Sequence, residues 1–265
     1  MKEGFVEETT LSKAYHSALL VLHEHGDLTD CSDWNQTQKE LAMTIIVDEP
    51  LKEPMISKLF IGGPEALEQY RQEMLDGILD FEIEKGNWVY TYHDRMVNYP
   101  IDNQIDKPGE WSLNQINFVI NELKRNPSSR RAVILIREPS TDAFSEDPAC
   151  LQHIQYFIRD NKLHCKVLFR SNDACKASFM NMFALIMIQK KIADELGVEV
   201  GTYVHRANSY HCYEKDFEML VNYTNKIKEA TSDDDLCYNY EEEWKELMEE
   251  CKPSIDKKVE ELYNR

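Results

Sequence analysis

Residues 147–173 read DPACLQHIQYFIRDNKLHCKVLFRSND, and this segment decides the fold class. Its two largely apolar runs, 150–158 and 163–170, flank the polar residues 159–162, a pattern typical of a β-hairpin. Long strands with few polar residues are expected to be buried on both faces. The hairpin is therefore predicted to lie centrally in a sheet.

The same region carries polar residues that suggest a site. Cys150 ends the run Asp-Pro-Ala-Cys, Arg170 and Ser171 end the second apolar run, and Asn181 follows in another apolar segment. Cysteine is a nucleophile, arginine binds anions, and an amide reads polar edges. We therefore expect these residues to belong to one site.

Asn181 is notable because the predicted helix 179–196 is apolar almost all round in its first half, which is typical of a buried helix. An unpaired buried amide costs on the order of 1–3 kcal/mol. The side chain either bonds a neighbouring backbone group or reads the edge of a pyrimidine or similar ring. The residues alone leave both interpretations open.

The composition indicates a single domain. The 265-residue chain is 42% hydrophobic, enough to bury one core, so 1–265 is predicted to be one domain. No run of about 18 uncharged apolar residues is present, and the N-terminus lacks a basic segment followed by an apolar one. We therefore expect a cytoplasmic protein with no membrane partner.

Cysteine usage and charge exclude several classes. The seven cysteines are scattered without a C-x-x-C pair, which argues against a disulfide framework and against a structural zinc site. The net charge of −18 disfavours broad contact with a nucleic-acid backbone. A small phosphorylated ligand is compatible with this charge, because a few arginines in one pocket reverse the local potential.

The remaining patterns predict an α+β fold with a mostly antiparallel or mixed central sheet packed by helices. The polar residues 27–38 are predicted to form a loop, and 228–265 a peripheral helical appendage. Helices are predicted at 10–25, 65–79, 111–123, 179–196 and 214–227, and strands at 41–47, 87–96, 132–136 and 202–204.

Two adjacent arginines, Arg130 and Arg131, precede the predicted strand at 132–136. Neighbouring side chains on extended backbone point to opposite faces, so the two need not serve the same partner. Taken alone, they are interpreted as a pair of surface arginines.

Together these residues resemble the active-site landmarks of the thymidylate synthase family, which includes the related pyrimidine-nucleotide hydroxymethylases. The resemblance covers about a third of the chain, and the N-terminal half is most similar to the divergent archaeal branch. Upstream, Tyr92 and Gln115 fall where the family has a tyrosine and a glutamine. The landmarks are Ser129-Arg130-Arg131, Cys150 after a proline, Arg170-Ser171-x-Asp173, Asn181 and His211-x-Tyr213.

The resemblance implies a reaction and a co-substrate. Cys150, as a thiolate, would add to C6 of deoxyuridylate (dUMP), so that C5 attacks the one-carbon unit of a methylene-tetrahydropterin. The co-substrate would be 5,10-methylenetetrahydrofolate or methylene-tetrahydromethanopterin, with no metal. A thiolate requires a lowered pKa, which we expect nearby arginines to supply.

The resemblance also implies roles for the binding residues. Arg170 and Ser171 would hold the 5′-phosphate, with Arg130 and Arg131 donated by the partner subunit of a homodimer. Asn181 would bond the N3 and O4 edge of the pyrimidine, and Asp173 would support the ring. The sugar 3′-hydroxyl would be bound by His211 and Tyr213.

Several positions depart from the family pattern. Leu151 stands where the common enzymes have a histidine, and His93 where they have a glycine. An early phosphate-binding arginine loop has no counterpart, and the C-terminus lacks the short apolar tail that closes over folate. The catalytic glutamate is assigned to Glu73, with Glu68 in reserve, and Tyr92 is included among the catalytic residues.

These departures leave three functions open. The first is thymidylate synthesis, in which hydride from the pterin gives a methyl group. The second is hydroxymethylation of dUMP, dCMP or CMP, in which water attacks in place of hydride. Exclusion of water from the site favours the methyl product, so the lack of the closing tail keeps this alternative open. The third is a catalytically inactive relative that binds nucleotide or RNA, which an intact Cys150 and the acidic charge disfavour.

Overall fold

The structure is a computed structural model that describes residues 1–103 and 107–265, and the side chains of 1–101 and 112–265. Its strands are β1 (Glu3–Glu8), β2 (Asp27–Cys31), β3 (Gln36–Val47), β4 (Ile56–Ser57), β5 (Tyr99–Asn103), β6 (Lys107–Leu113), β7 (Val133–Leu135), β8 (Leu151–Arg159), β9 (Lys162–Phe169), β10 (Asn172–Asp173), β11 (Glu199–Tyr213) and β12 (Cys237–Tyr238).

The α-helices in the described part of the chain vary from one turn to five. A short 3₁₀ helix spans Ser32–Trp34, a second spans Glu214–Asp216, and a π-helical turn spans Tyr240–Trp244. The α-helices are α1 (Leu11–His25), α2 (Gly63–Asp76), α3 (Phe81–Glu84), α4 (Tyr92–Val97), α5 (Gln115–Arg125), α6 (Pro139–Asp142), α7 (Ser178–Leu196), α8 (Phe217–Glu229), α9 (Asp233–Leu236) and α10 (Lys245–Tyr263).

A mixed sheet with the strand order β1-β3-β11-β9-β8-β7 forms the centre of the fold. The β8–β9 hairpin is antiparallel, β11 runs parallel to β9, and β11 pairs antiparallel with β3. Outside this path, β2 pairs antiparallel with β3, and β10 pairs parallel with β11. The predicted α+β class, with a mixed sheet and a central hairpin, is confirmed.

The hairpin turn follows from two residues that tolerate positive φ. Asp160 and Asn161 have φ values of 51° and 59°. A two-residue turn with both central residues in the left-handed region matches the twist of the flanking strands, and Asp and Asn adopt that region readily. The local sequence therefore fixes the register of β8 on β9.

The sheet register separates two faces. One row across the strands is buried throughout, and the adjacent row is partly or fully exposed throughout, as expected from the two-residue period of a strand. The buried row is Val6, Ile45, His205, Val167, Ile154 and Ile134; the outer row is Phe5, Thr44, Arg206, Leu168, His153 and Leu135.

Helices α1, α5, α7 and α8 contact the sheet. Helix α7 is buried along most of its length and ends at Gly197, whose φ of 67° closes the helix in the left-handed region. The buried sheet face is thus covered, whereas the outer face carries partly exposed side chains.

Two predictions for the N-terminal half are wrong. Residues 27–38 were expected to form a loop, but Asp27–Cys31 forms β2 and β3 already begins at Gln36. β2 is an edge strand and the first five residues of β3 are only partly buried, so these positions accept polar side chains.

The second wrong prediction is the strand at 87–96. Thr91 accepts a hydrogen bond from the Asp94 amide at 2.9 Å and caps α4, which begins at Tyr92. A helix cap thus outweighs the alternating aromatic residues. The predicted helix 111–123 begins later, at Gln115 after the Asn114 cap, because Trp111 belongs to β6.

The predicted strand 202–204 is the middle of the 15-residue strand β11. The predicted C-terminal helices are present, and α10 packs against α2 with Met248 and Ile255 buried. β12 pairs with β4. Residues after 228 are therefore attached to the rest of the fold through both helical and strand contacts.

Among the described residues, no helix combines the length and the apolar character needed to cross a membrane. In the same part of the chain, histidine, cysteine and carboxylate side chains do not gather in groups of three that could hold a metal ion.

Gln189 generates a stability prediction. This fully buried side chain on α7 donates from Nε2 to the carbonyl oxygens of Leu163 at 2.7 Å and Gly201 at 2.9 Å. Gln189→Leu leaves both carbonyls without this donor, so we expect the free energy of unfolding to fall by about 1–2 kcal/mol. Urea denaturation followed by circular dichroism measures the change.

The matched control is the next residue, Lys190, whose exposed side chain pairs with Asp194 at 2.6 Å. Lys190→Leu should change the free energy of unfolding by less than about 0.5 kcal/mol, because exposed ion pairs contribute little. Equal losses in the two variants would contradict the bridging role of Gln189.

Candidate active site

The open end of the β8–β9 hairpin forms one wall of a cavity of about 670 Å³. Leu151 pairs with Phe169, and the Arg170 amide donates to the Cys150 carbonyl at 2.8 Å, so Cys150 and Arg170 are adjacent. The first turns of α7 and the end of β11 close the cavity. The predicted residues that line it are Tyr92, Cys150, Arg170, Ser171, Asp173, Asn181, His211 and Tyr213.

Arg170 is held by the loop that precedes the cysteine. Its guanidinium donates to the carbonyl oxygens of Pro148 at 2.6 Å and Ala149 at 3.2 Å, and lies 3.5 Å from the Asp147 carboxylate. Arg170 therefore fixes the backbone around Cys150, and its charge is shared with Asp147.

Burial raises the pKa of the Cys150 thiol, which the Arg170 guanidinium lowers only in part and Asp147 raises further. The expectation of a lowered Cys150 pKa is therefore wrong. The reason is desolvation, which penalises the thiolate more than one guanidinium stabilises it.

Asn181 lies in the first turns of α7 and is 5% exposed. Its Oδ1 accepts a hydrogen bond from the Tyr70 hydroxyl of α2. Among the described residues, no other one makes a hydrogen bond to the Asn181 side chain. The amide is thus bonded to a side chain, and not to backbone.

His211 and Tyr213 alternate on β11, and their rings lie 4.7 Å apart, edge to face. The His211 Nδ1 lies 3.4 Å from the Ser171 hydroxyl, while its buried Nε2 has no hydrogen-bond partner among the described residues. Burial lowers the pKa of His211, so the ring is neutral near pH 7. A buried nitrogen without a partner is suited to a ligand hydroxyl.

Asp173 ends the short strand β10 beside His211. Its Oδ1 accepts from the backbone amides of Cys175 and Lys176, both at 3.0 Å, which orders the turn that leads into α7. The buried His205 ring is 3.0 Å from the Asn172 Oδ1 and anchors the same strand. These bonds fix the floor of the cavity.

Tyr92 and Glu73 lie on the side away from β11. The Leu151 amide donates to the Tyr92 hydroxyl at 3.3 Å, so that hydroxyl lies directly beside the cysteine segment. Glu73 lines an adjoining cavity of about 220 Å³ that shares Tyr70 and Tyr92 with the first. Burial raises the pKa of Glu73, although its carboxylate accepts from Gln69 at 2.9 Å.

The reserve candidate, Glu68, faces elsewhere. Its carboxylate accepts from Arg71 at 2.7 Å and Gln72 at 2.8 Å, and it lines a groove with Lys252 of α10. Gln115 also lies outside the cavity lining: its amide bonds the backbone of Arg95 and Leu135. Both residues hold elements of the fold together.

Arg130 and Arg131 do not line the cavity of their own chain. The Arg130 carbonyl accepts from Gln155 at 3.0 Å, five residues along β8 from Cys150, which corresponds to roughly 16 Å. The exposed Arg131 side chain lies 3.4 Å from Glu122. Within one chain, Arg130 lies beside the middle of β8, whereas Cys150 immediately precedes the first residue of that strand.

Sequence reasoning missed several residues of the site. The helical spacing of Tyr70 with Leu67 and Met74 predicts only that its side chain faces the core, and it gives no sign of a polar contact. Cys31, Asp33 and Trp34 reach the cavity rim from the 3₁₀ turn between β2 and β3. No pattern in the sequence indicated this, since the segment was taken as a loop.

Comparison with known proteins identifies the family of the chain. The family model described as thymidylate synthase matches residues 60–252. A protein of Methanocaldococcus jannaschii named "Putative thymidylate synthase" is 31% identical over 224 residues, covering 82% of this chain and 95% of that protein. A Methanosarcina barkeri protein with the same name is 29% identical over 219 residues, covering 82% and 93%.

The thymidylate synthase of Bacillus subtilis subsp. natto is 33% identical over 109 residues, or 41% of this chain and 39% of the relative. Fold and site define an enzyme class that transfers one-carbon units from a methylene-tetrahydrofolate-type co-substrate to a nucleotide. The chain belongs to the thymidylate synthase family, and its archaeal relatives match most of its length.

The contact between Arg170 and Cys150 gives a second prediction. Arg170→Gln removes the charge that lowers the Cys150 pKa, so the pH midpoint for Cys150 alkylation by iodoacetamide should move upward. Peptide mass spectrometry across pH 7–10 follows the rate at this cysteine.

Arg206→Gln is the control, because Arg206 pairs with Glu3 at 2.6 Å on the outer sheet face. This variant removes the same charge and should leave the Cys150 midpoint unchanged. Identical alkylation profiles for the Arg170 variant and the unaltered chain would refute the electrostatic contact.

Proposed function

We propose that this chain is a thymidylate synthase, which transfers a one-carbon unit from a methylene-tetrahydropterin to C5 of dUMP. The proposal rests on one observation: a single cavity contains a nucleophile, a cation, an amide and an imidazole whose Nε2 has no hydrogen-bond partner among the described residues. Cys150 and Arg170 flank the open end of the β8–β9 hairpin, Asn181 lies on α7 and His211 on β11, and all four line the same cavity. The whole chain, 1–265, is proposed to act as one catalytic domain.

The first chemical step uses Cys150. Its sulfur adds to C6 of the pyrimidine, the C5–C6 double bond breaks, and negative charge develops at O4. The Asn181 amide nitrogen donates toward that oxygen. Because burial raises the Cys150 pKa, the thiolate must form inside the complex, where a base and the Arg170 charge favour it.

Glu73 and Tyr92 are proposed to organise the proton transfers that follow. C5 forms a bond to the one-carbon unit as the bond from that unit to one pterin nitrogen breaks, and C5 must then lose its proton, which requires a base near the ring. The bond to the second pterin nitrogen then breaks, hydride from the pterin reduces the one-carbon unit to a methyl group, and the Cys150 sulfur leaves C6 to give dTMP. Burial raises the pKa of the Glu73 carboxyl above its ordinary value, which favours the protonated form of a group that takes up and returns a proton. The Tyr92 hydroxyl lies between the Glu73 cavity and the cysteine segment.

The nucleotide is proposed to lie with its sugar at β11 and its phosphate at Arg170. The unpartnered Nε2 of His211 and the Tyr213 hydroxyl are positioned for the sugar 3′-hydroxyl. Ser171 adds a hydroxyl donor for the phosphate beside Arg170. Asp147 now lies 3.5 Å from Arg170 and would exchange with that phosphate.

A homodimer is proposed to complete the phosphate site. Among the described lining residues, Arg170 is the one basic side chain, whereas Asp33, Glu146, Asp147 and Asp173 are acidic. A dianionic phosphate requires more positive charge than this. Arg130 and Arg131 of a partner subunit would supply it, which explains why they lie far from their own cavity.

The outer sheet face is the proposed dimer surface. It carries Phe5 at 61% exposure and Leu135 at 47% exposure, at opposite edges of one row that also includes Leu168. An exposed apolar sheet face of this kind favours association with a second copy.

The product is tested directly. We expect incubation with dUMP and methylene-tetrahydrofolate, or with methylene-tetrahydromethanopterin, to yield dTMP and the oxidised pterin, and Cys150→Ala to abolish turnover while nucleotide binding persists. Mass spectrometry identifies the nucleotide, and the pterin is followed by absorbance. The Cys251→Ala variant, which changes a cysteine of α10, is the control and should keep full activity.

Each alternative gives a different result. A hydroxymethyl nucleotide with tetrahydropterin released unoxidised would replace methylation by hydroxymethylation. Nucleotide binding without turnover of dUMP or dCMP with either pterin would indicate an inactive relative. Turnover by Cys150→Ala would refute the nucleophile.

The shared site makes a separate prediction. The double variant Arg130→Ala/Arg131→Ala and the variant Cys150→Ala should each be inactive, but an equimolar mixture refolded together should recover about a quarter of the activity, because about half of its dimers are mixed. The reason is that one site of each mixed dimer receives an intact cysteine and intact arginines. Activity is measured after the two chains are unfolded and refolded together.

Mixing Cys150→Ala with Arg170→Ala chains is the control. Both residues belong to the same cavity of one chain, so no site in the mixed dimer is intact and no recovery is expected. Recovery in both mixtures, or in neither, would contradict donation across the interface.

A further inference from the structure

Tyr70 and Asn181 form a buried pair across the cavity wall. Tyr70 lies on α2 and Asn181 on α7, two helices that pack against each other. The Tyr70 hydroxyl donates to Oδ1 of Asn181, and both residues line the cavity that contains Cys150. Tyr70 also lines the adjoining cavity that contains Glu73.

This hydrogen bond gives the amide a direction. A tyrosine hydroxyl has one proton, and here that proton is donated to the amide oxygen. The amide nitrogen, with its two N–H donors, is then the end left for a ligand. One lone pair of Oδ1 is used by Tyr70 and the second is available.

An amide in this orientation matches uracil. The O4 oxygen of uracil accepts from the amide nitrogen, and its N3–H donates to the free lone pair of Oδ1. Cytosine presents the reverse pattern, an amino donor at C4 and an acceptor at N3. To bind cytosine, the Asn181 amide must rotate by about 180°, which directs N–H toward the Tyr70 hydroxyl and leaves the tyrosine proton without its acceptor.

We propose that Tyr70 is a positioning residue for base selection: it holds the Asn181 amide with its nitrogen toward the base, so that the site prefers uracil to cytosine. The inference rests on the proposed function, because it concerns the pyrimidine of that reaction. An asparagine without this partner can rotate at little cost, and it discriminates less between the two bases.

The test is the ratio of the dissociation constants for dCMP and dUMP, measured by calorimetry with the intact chain. Tyr70→Phe keeps the ring and removes only the hydroxyl, so we expect this ratio to fall by on the order of 10-fold. If Tyr70 had only a structural role, its substitution would weaken the binding of both nucleotides equally and leave the ratio of dissociation constants unchanged. An unchanged ratio therefore overturns the proposal.

Two controls isolate the amide. Tyr90→Phe removes a hydroxyl from a ring that lies 5.8 Å from Tyr92 in the same wall, and it should not change the ratio. Asn181→Asp places equivalent acceptor oxygens at the reading position and should shift preference toward dCMP. When Tyr70→Phe is added to the Asn181→Asp variant, the ratio should change by less than about twofold, because a carboxylate has no orientation to hold.

A second donor-free replacement protects the test against misfolding. Substitution of Tyr70 by p-fluorophenylalanine keeps the size of the side chain, and substitution by p-aminophenylalanine keeps a donor at the same place. The fluorinated side chain should reproduce the reduced ratio, and the amino side chain should preserve the original one. The same ratio with both replacements would overturn the proposal.

Failure of the proposed function and failure of the Tyr70 role give different experimental results. If the unaltered chain binds neither dUMP nor dCMP, the proposed function and the role of Tyr70 are both overturned. If it binds and converts dUMP but Tyr70→Phe retains the original ratio, only the role of Tyr70 is overturned.

Discussion

The pairing of β8 with β9, and of β9 with β11, is the constraint on which the site depends. Leu151 is fixed opposite Phe169, and Phe169 opposite Ala207, so Cys150, Arg170 and the end of β11 meet at one edge of the sheet. A one-residue slip of either pairing would move every side chain to the other face. The positive-φ turn at Asp160 and Asn161 sets the first pairing, and the buried Gln189 spans the second.

Burial and charge have opposite effects on the ionisable groups at this edge of the sheet: burial disfavours the charged forms, and the Arg170 guanidinium favours the Cys150 thiolate. Desolvation raises the Cys150 and Glu73 pKa values and lowers that of His211, so the unliganded site favours neutral groups. Arg170 is engaged by backbone carbonyls and by Asp147. Under the proposed function, a nucleotide phosphate and arginines of a second subunit would favour its charged form.

The two faces of the sheet differ in burial: one forms the core of the chain, and the other carries exposed apolar side chains. The helix-covered face holds the buried row that contains His205 and Ile154, and it forms the core of the chain. The opposite face retains partly exposed apolar side chains such as Phe5 and Leu135, which have no cover in the described chain. The same register that places the catalytic edge therefore also leaves a surface suited to a second copy.

The sequence by itself determined the hairpin, the buried helix α7 and the α+β class, because these depend on local pattern, and the family resemblance indicated eight of the residues that line the cavity. It failed at 27–38 and 87–96, where sheet-edge position and the Thr91 cap outweigh composition. Only the tertiary structure decided the raised Cys150 pKa, the position of Glu73 in a cavity that adjoins the site, and the Tyr70–Asn181 bond. Each of these depends on which elements pack together across long stretches of chain, and such packing leaves no periodic signal in the sequence.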